Sequence, residues 1–321
     1  MHTRSLRTFV LSCSALFCAG VQAASFPEQP VTITVPYPPG SAADTTARLV
    51  AQGMSKELNT PVVVENRSGA SGAIGTAAGA RAKADGYHLT LVASPAVMTM
   101  LQMKQPGFDL EHDFAPVGLI NEFFNALVVN HKLGIKTFAQ LQDWIHAHPG
   151  RFNFATAGNA TPSDYAGRQL ARKHGLDMTF IPYQGSTPAL MSVVSGESDG
   201  AVMVAGPAIA HIKSGQLTAL SIMADQALKA LPGVPDTNAS GVHITTSGWT
   251  GLVAPKETPI DRIRVLNQAL NQTLVGNKQL QETMDTYGGV LLPGSPEKLQ
   301  QRVHDEIEQL RSDMQTLYKP S

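Results

Sequence analysis

The chain has 321 residues, a formal net charge of −1 and two cysteines, and 43% of its residues are hydrophobic. With no long basic run it lacks the electrostatic footprint of a nucleic-acid-binding protein. Both cysteines, Cys13 and Cys18, precede Ala23, so everything beyond that point excludes disulfides and thiol catalysis.

Residues 1–23 read as a signal peptide. Met1–Arg7 is a basic n-region, Thr8–Ala19 a short apolar h-region, and Val21-Gln22-Ala23 offers small residues for cleavage after Ala23. The apolar run is too short to cross a bilayer, and bulky Phe17 before Cys18 argues against lipid attachment. Losing Arg4 and Arg7 takes the formal charge from −1 to −3. The remaining chain, about 298 residues, exceeds what one core usually fills, which predicts two domains. No other segment reaches about 18 unbroken apolar residues, so the expected product is soluble and exported.

Strand and helix signals then alternate. Val31–Val35 reads as a strand, Thr45–Leu58 as a helix with Leu49, Val50 and Met54 on one face, and Pro61–Val64 as a second strand. Ile74–Ala84 is a small-residue helix and Leu89–Ala93 a third strand. This order predicts a mostly parallel α/β sheet. The glycines of Ser68–Gly79 fit neither G-x-G-x-x-G nor a P-loop, and read as a turn into a tightly packed helix. Ala126–Asn130 is another strand, after which the pattern restarts. Helices are expected at Phe138–Ala147, Ala166–His174 and Pro188–Val194, and strands at Phe152–Thr156 and Met178–Ile181. Ala201–Ala205 and Leu217–Met223 complete a second sheet, and Asp225–Gly248 is loop-rich. Gly251–Ala254 is a strand. The remainder is helical, at Asp261–Val275, Lys278–Tyr287 and Pro296–Tyr318, the last highly charged and expected at the surface.

Two strand-to-helix turns carry the chemistry. The first strand ends in Pro36-Tyr37-Pro38-Pro39-Gly40, followed by Ser41-Ala42-Ala43-Asp44, the spacing of a capping box. Small residues there leave backbone N–H groups open at a helix N-terminus, which favours an anion. The same chemistry returns as Ala157-Gly158-Asn159-Ala160 and then Thr161-Pro162-Ser163-Asp164, with Thr161 as N-cap and Pro162 at N1. Facing one another across a cleft, the two turns would form a carboxylate trap; taken singly, each is also an ordinary helix start. No H-E-x-x-H or G-x-S-x-G occurs, and His146 and His148 lack a third ligand, so neither metal nor cofactor is expected. No lysine or arginine lies in either turn, which leaves the grip to backbone N–H groups, Ser41, Thr161, Ser163 and water. Phe123 and Phe124 offer either an apolar wall for the ligand or hinge packing.

Ordered pieces along nearly the whole mature chain carry a resemblance. They are Pro36–Gly40 with Asp44 and Arg48, Val64-Glu65-Asn66-Arg67 with Gly69 and Gly72, Asp85-Gly86-Tyr87, Asp113-Phe114-Ala115-Pro116, Ala157-Gly158-Asn159, Pro182-Tyr183-Gln184-Gly185, and Trp249 with Gly251–Pro255. The chain resembles the Bug family, the extracytoplasmic solute-binding receptors of tripartite tricarboxylate transporters. The resemblance implies a type II periplasmic-binding-protein fold, two mostly parallel-sheet domains around a ligand cleft with two crossing strands. Domain 1 would comprise 24–125 and 225–321, and domain 2 would comprise 126–224. It implies a periplasmic monomer that captures a small organic carboxylate and delivers it to membrane transporter subunits. The ligand would be held by Pro38, Gly40, Ser41, Ala42, Ala43, Ala157, Gly158, Asn159, Thr161 and Ser163, with Ser94, Tyr183 and Asp199 bordering the pocket. Three departures bear on ligand identity. Gly40-Ser41 replaces Gly-Gly, Asp164 stands where the family often has His, and an acid usual after Asp199 falls on Met203-Val204-Ala205. Two alternatives stay open: a sensor presenting its closed form to a membrane kinase, and an exported hydrolase with a scattered triad.

Overall fold

The alternation of buried Val31, Ile33 and Val35 with half-buried Thr32 and Thr34 places β1 (Val31–Val35) inside a sheet covered more heavily on one face. The computed structural model describes residues 26–158 and 161–317. The signal-peptide reading, its two cysteines and Asn159 lie outside them. From β1 the chain runs through α1 (Ala42–Glu57), β2 (Val62–Asn66), a 3-10 turn (Ala70–Gly72), α2 (Ala73–Ala80), β3 (His88–Ala93) and α3 (Ser94–Gln102). A long strand, β4 (Phe114–Asn130), leads to α4 (Phe138–Ala147), β5 (Phe152–Thr156), α5 (Pro162–His174), β6 (Met178–Pro182) and α6 (Ser186–Ser195). Then come β7 (Gly200–Val204), α7 (Ala205–Lys213), β8 (Leu217–Ile222), β9 (Ser247–Pro255), α8 (Ile260–Gly276), α9 (Lys278–Tyr287), β10 (Gly289–Leu291) and α10 (Pro296–Leu317).

The strands form one path, β2-β1-β3-β9-β4-β7-β5-β6, with β8 and β10 also paired to β4. Pairing is parallel for β2-β1-β3 and for β6-β5-β7. β4 joins the two groups. Its Phe114–Phe124 portion pairs antiparallel with β9, and Asn125–Asn130 pairs with β7 and β8. The predicted strand at Ala126–Asn130 is therefore the end of a 17-residue strand. Register shifts at Pro116/Gly118 and Leu119/Asn121 break the alternation upstream and hide it from a period-two reading. Helices α3 and α7, also unexpected, follow Ala93 and Val204, N-cap residues that offer no side-chain cap.

Four buried clusters flank this sheet. Val50, Met54, Leu266 and Met284 join α1, α8 and α9 to the first strands, and α2, α3 and α10 contribute Ala77, Val97, Leu299 and Ile307 to a second cluster. Beyond β4, α4 and α5 pack through Leu141 and Leu170, and α6 and α7 through Val193 and Ala208. Leu228, Leu231, Val242 and Ile244 also pack into these last two clusters. Residues after 225, expected with the first domain, thus lay their apolar side chains on the second half until β9 begins. The last helix is not wholly a surface element, because Leu299, Val303, Ile307 and Leu310 bury one of its faces. The tight packing expected of Ser68–Gly79 is present. A Cβ at Gly75 would stand 2.4 Å from the Arg67 carbonyl oxygen and 2.8 Å from Pro36 Cα. Only glycine lets α2 lie against the turn that follows β1.

Candidate ligand-binding site

Each of the two turns is built around a buried aspartate. In the first, Ser41 Oγ accepts the Asp44 N–H at 3.2 Å, as the capping spacing predicts. Asp44, 3% exposed, accepts from the Gly40 N–H at 2.9 Å, Asn66 Nδ2 at 2.8 Å and Arg48 Nε at 3.0 Å. Burial pushes its carboxyl up, but the bonds from Arg48, Gly40 and Asn66 and the charge of Arg48 outweigh this and hold it below the usual carboxylate range. Gly40 therefore donates inward rather than to a ligand, and the Ser41 N–H donates to the Pro38 carbonyl at 3.2 Å. The N–H groups of Ala42 and Ala43, the first two of α1, have no acceptor among the described residues. Those are the donors this turn presents.

The second turn repeats the plan. Thr161 caps α5, Pro162 occupies N1, and Asp164, 1% exposed, pairs with Arg168 four residues on, Nε lying 3.1 and 3.0 Å from its two oxygens. Here the donors are partly spent: the Ala157 N–H donates to Ser163 Oγ at 2.8 Å and the Gly158 N–H points at Thr156 Oγ1 at 3.4 Å. Thr161 Oγ1 in turn donates to the Gly158 carbonyl at 2.7 Å. The Ser163 N–H has no acceptor among the described residues. Gly158 has φ +129°, a region that only glycine enters without strain.

Near the crossing strands lies a cavity of about 800 Å³. Ser94, Asn125, Pro162, Val204 and Ser247 line it from the strand ends and the start of α5, and Arg302 and Glu306 line it from α10. Ser94 Oγ accepts the Trp249 N–H of β9 at 2.9 Å. The structure thus brings Ser94 and one face of α5, from Pro162 to Lys173, into one space, while Pro38–Ala43, Ala157, Gly158, Thr161 and Ser163 are not part of its lining. Asp199 and Tyr183 do not line this cavity. Asp199 stands just before β7, where its Oδ2 accepts the Asn153 N–H at 2.7 Å. That is four residues back from Ala157 along β5, roughly 13 Å at the rise of a strand. The β5–β7 pairing is parallel, so Asp199 belongs to the opposite end of the strands. Tyr183 packs into the α6–α7 cluster and bonds Ser198 Oγ at 3.1 Å. Only its backbone approaches Gly158. Phe124 packs in the same cluster and Phe123 lies against Tyr287, so both serve the crossing region rather than a ligand wall.

Sequence reasoning missed the α10 side of the cavity. Arg302 Nη2 lies 2.9 Å from Ser247 Oγ and 3.5 Å from Glu122 Oε1, while Glu306 accepts the Trp249 indole N–H. Burial pushes Glu306 up to about 7, the Trp249 bond and Arg302 opposing it and Glu122 adding to it. A signal existed: Arg302 and Glu306 sit beside the apolar stripe Leu299, Val303, Ile307, Leu310, where a purely surface helix would keep them away. Elsewhere, Asp109, Glu111 and His112 gather possible metal-ligand atoms, but Asp109 Oδ1 already accepts the N–H groups of the other two.

Two parallel strand groups, two crossing strands and a cavity beside them give the fold of the periplasmic binding proteins. The chain belongs to the tripartite tricarboxylate transporter family receptor family, whose model matches residues 46–315. It is 30% identical over 302 residues to the protein BugT of Bordetella pertussis, covering 93% of this chain and 92% of that one. It is similar to MatC of Rhodopseudomonas palustris, solved with bound malate, at 27% identity and a TM-score of 0.71, covering 90% of this chain and 99% of that one. An R. palustris protein solved with adipate gives 25% identity and a TM-score of 0.75, with 91% and 98% covered. The chain is thus a solute-binding receptor of this type.

Proposed function

We propose that the protein captures a small organic carboxylate between two domains and delivers it to membrane transporter subunits, by capture and release rather than turnover. The observation that carries this reading is the pair of helix starts whose N–H groups have no acceptor among the described residues, Ala42 and Ala43 on α1 and Ser163 on α5. We assign residues 26 to about 125 and 247 to 317 to one domain, and 126 to about 246 to the other. The clustering of Leu228, Leu231, Val242 and Ile244 with the second half supports that boundary.

In the ligand-bound state, the Ala42 and Ala43 N–H groups and the Ser163 N–H converge on one carboxylate, with Ser41, Thr161 and Ser94 hydroxyls and water completing its shell. Pro38 and Gly40 shape the first turn; Ala157 and Gly158 shape the second. Each helix terminus favours an anion by about 0.3–1 kcal/mol, up to ~2 when partly buried. A micromolar ligand requires about 8 kcal/mol, so burial of the ligand's body contributes the larger share. Binding then biases an open–closed equilibrium, and the closed form is the one the transporter engages. A melting-temperature screen of mono- and dicarboxylates, malate and adipate included, tests the reading. Binding raises the midpoint; a flat response across the panel overturns it.

A further inference from the structure

Glu306 is a half-buried acid that carboxylate capture does not require. It projects from α10 into the wall of the same cavity that Ser94 lines. Trp249 links the two: its backbone N–H donates to Ser94 Oγ and its indole N–H to Glu306 Oε2. We infer that capture of an anionic ligand in this cavity is coupled to the uptake of one proton by Glu306. The inference rests on the proposed carboxylate reading. A ligand charge placed beside Ser94 shares one cavity with the Glu306 carboxyl, and a second negative charge there is disfavoured. Protonation of Glu306 removes that conflict.

Other charged groups around Glu306 do not supply the same effect. Arg302 on α10 faces it and opposes its protonation, but Arg302 is already engaged by Ser247 and by Glu122 of β4. Glu122 and Ser247 are joined to each other, and Glu122 favours protonation of Glu306. Asp305 and Asp313 on α10, Arg172 and Lys173 on α5, and His243 before β9 complete the cavity's charged wall. Asp313 is bonded to Tyr165 and Gln169 of α5, and Lys173 to the His243 carbonyl. Burial already brings Glu306 to about 7 without ligand, so a modest added field moves its proton at neutral pH.

The sign follows. A ligand that binds the protonated form better raises the Glu306 midpoint, and its dissociation constant grows with pH, by up to about tenfold per pH unit between the free and bound midpoints. The chain has two tryptophans, so Trp144→Phe leaves Trp249 as the single reporter. Its emission is followed from pH 5 to 9, with and without the acid giving the largest melting shift. We expect one transition near 7, absent in Glu306→Gln, moving upward by at least about half a pH unit when ligand saturates. Calorimetry of the wild-type chain in two buffers of different ionisation enthalpy should show net proton uptake at pH 7, whatever the fate of the variants. A saturating ligand with no uptake and an unmoved transition overturns the inference while leaving carboxylate capture standing. So does a pH dependence that survives Glu306→Gln and disappears in His243→Asn. If no acid shifts the melting midpoint, the carboxylate reading fails and this inference falls with it.

Discussion

Asp44→Ala removes the hub on which the first turn is built. The Asp44 carboxylate is 3% exposed and accepts from Gly40, Asn66 and Arg48. The Arg48 side chain is 52% exposed, so its ion pair contributes at most about 0.5 kcal/mol. The Gly40 N–H and Asn66 amide lose a charged acceptor, at about 1.5 kcal/mol each at the low end of the range. The expected loss is about 3 kcal/mol in urea unfolding at pH 7. The carboxyl is held below its unfolded value, so its contribution is complete above that value and is lost as pH falls through the folded value. The gap between wild type and variant should therefore narrow below pH ~4. A loss under about 0.5 kcal/mol, or a gap constant from pH 6 to 3, refutes the reasoning.

Three further outcomes follow. Gly75→Ala pushes a methyl into the Arg67 carbonyl and Pro36, so urea unfolding should show a loss of about 1–3 kcal/mol, with weaker acid binding as the first turn shifts. Gly158→Pro cannot keep φ +129°, and affinity in calorimetry should fall at least about tenfold while the first domain's secondary structure is retained by circular dichroism. Tyr183→Phe removes only the bond to Ser198 inside the second half. It should cost about 1 kcal/mol of stability and leave ligand affinity unchanged within about twofold.

What the sequence made legible were features coded locally. Ser41 and Thr161 cap helices as their spacing indicates, and Phe138–Ala147, Phe152–Thr156 and Lys278–Tyr287 appear with the bounds expected of them. Periodicity failed where tertiary pairing overrides it, as along the bulged first half of β4. Helix α3 was missed because the short SPAVMTMLQ segment follows a strand and lacks a capping side chain. At the site, local chemistry identified the turns but not which donors remain available. Gly40 and Ala157 are turned inward by Asp44 and Ser163, which depends on side-chain geometry. Asp199 was placed by family position, and the parallel register with β5 sets it at the end of the strands opposite Ala157. The α10 wall comes from residues far along the chain from Ser94, a juxtaposition that no local pattern encodes.

The central claim is that two helix starts, one from each domain, close on a single carboxylate. A crystal structure of the protein with malate, adipate or an acid retained through purification tests it most directly. The expected result is one carboxylate within hydrogen-bond distance of the Ala42 or Ala43 N–H and of the Ser163 N–H, with Ser94 beside the ligand. A ligand bound elsewhere, or touching one turn while the other stays open to solvent, contradicts it.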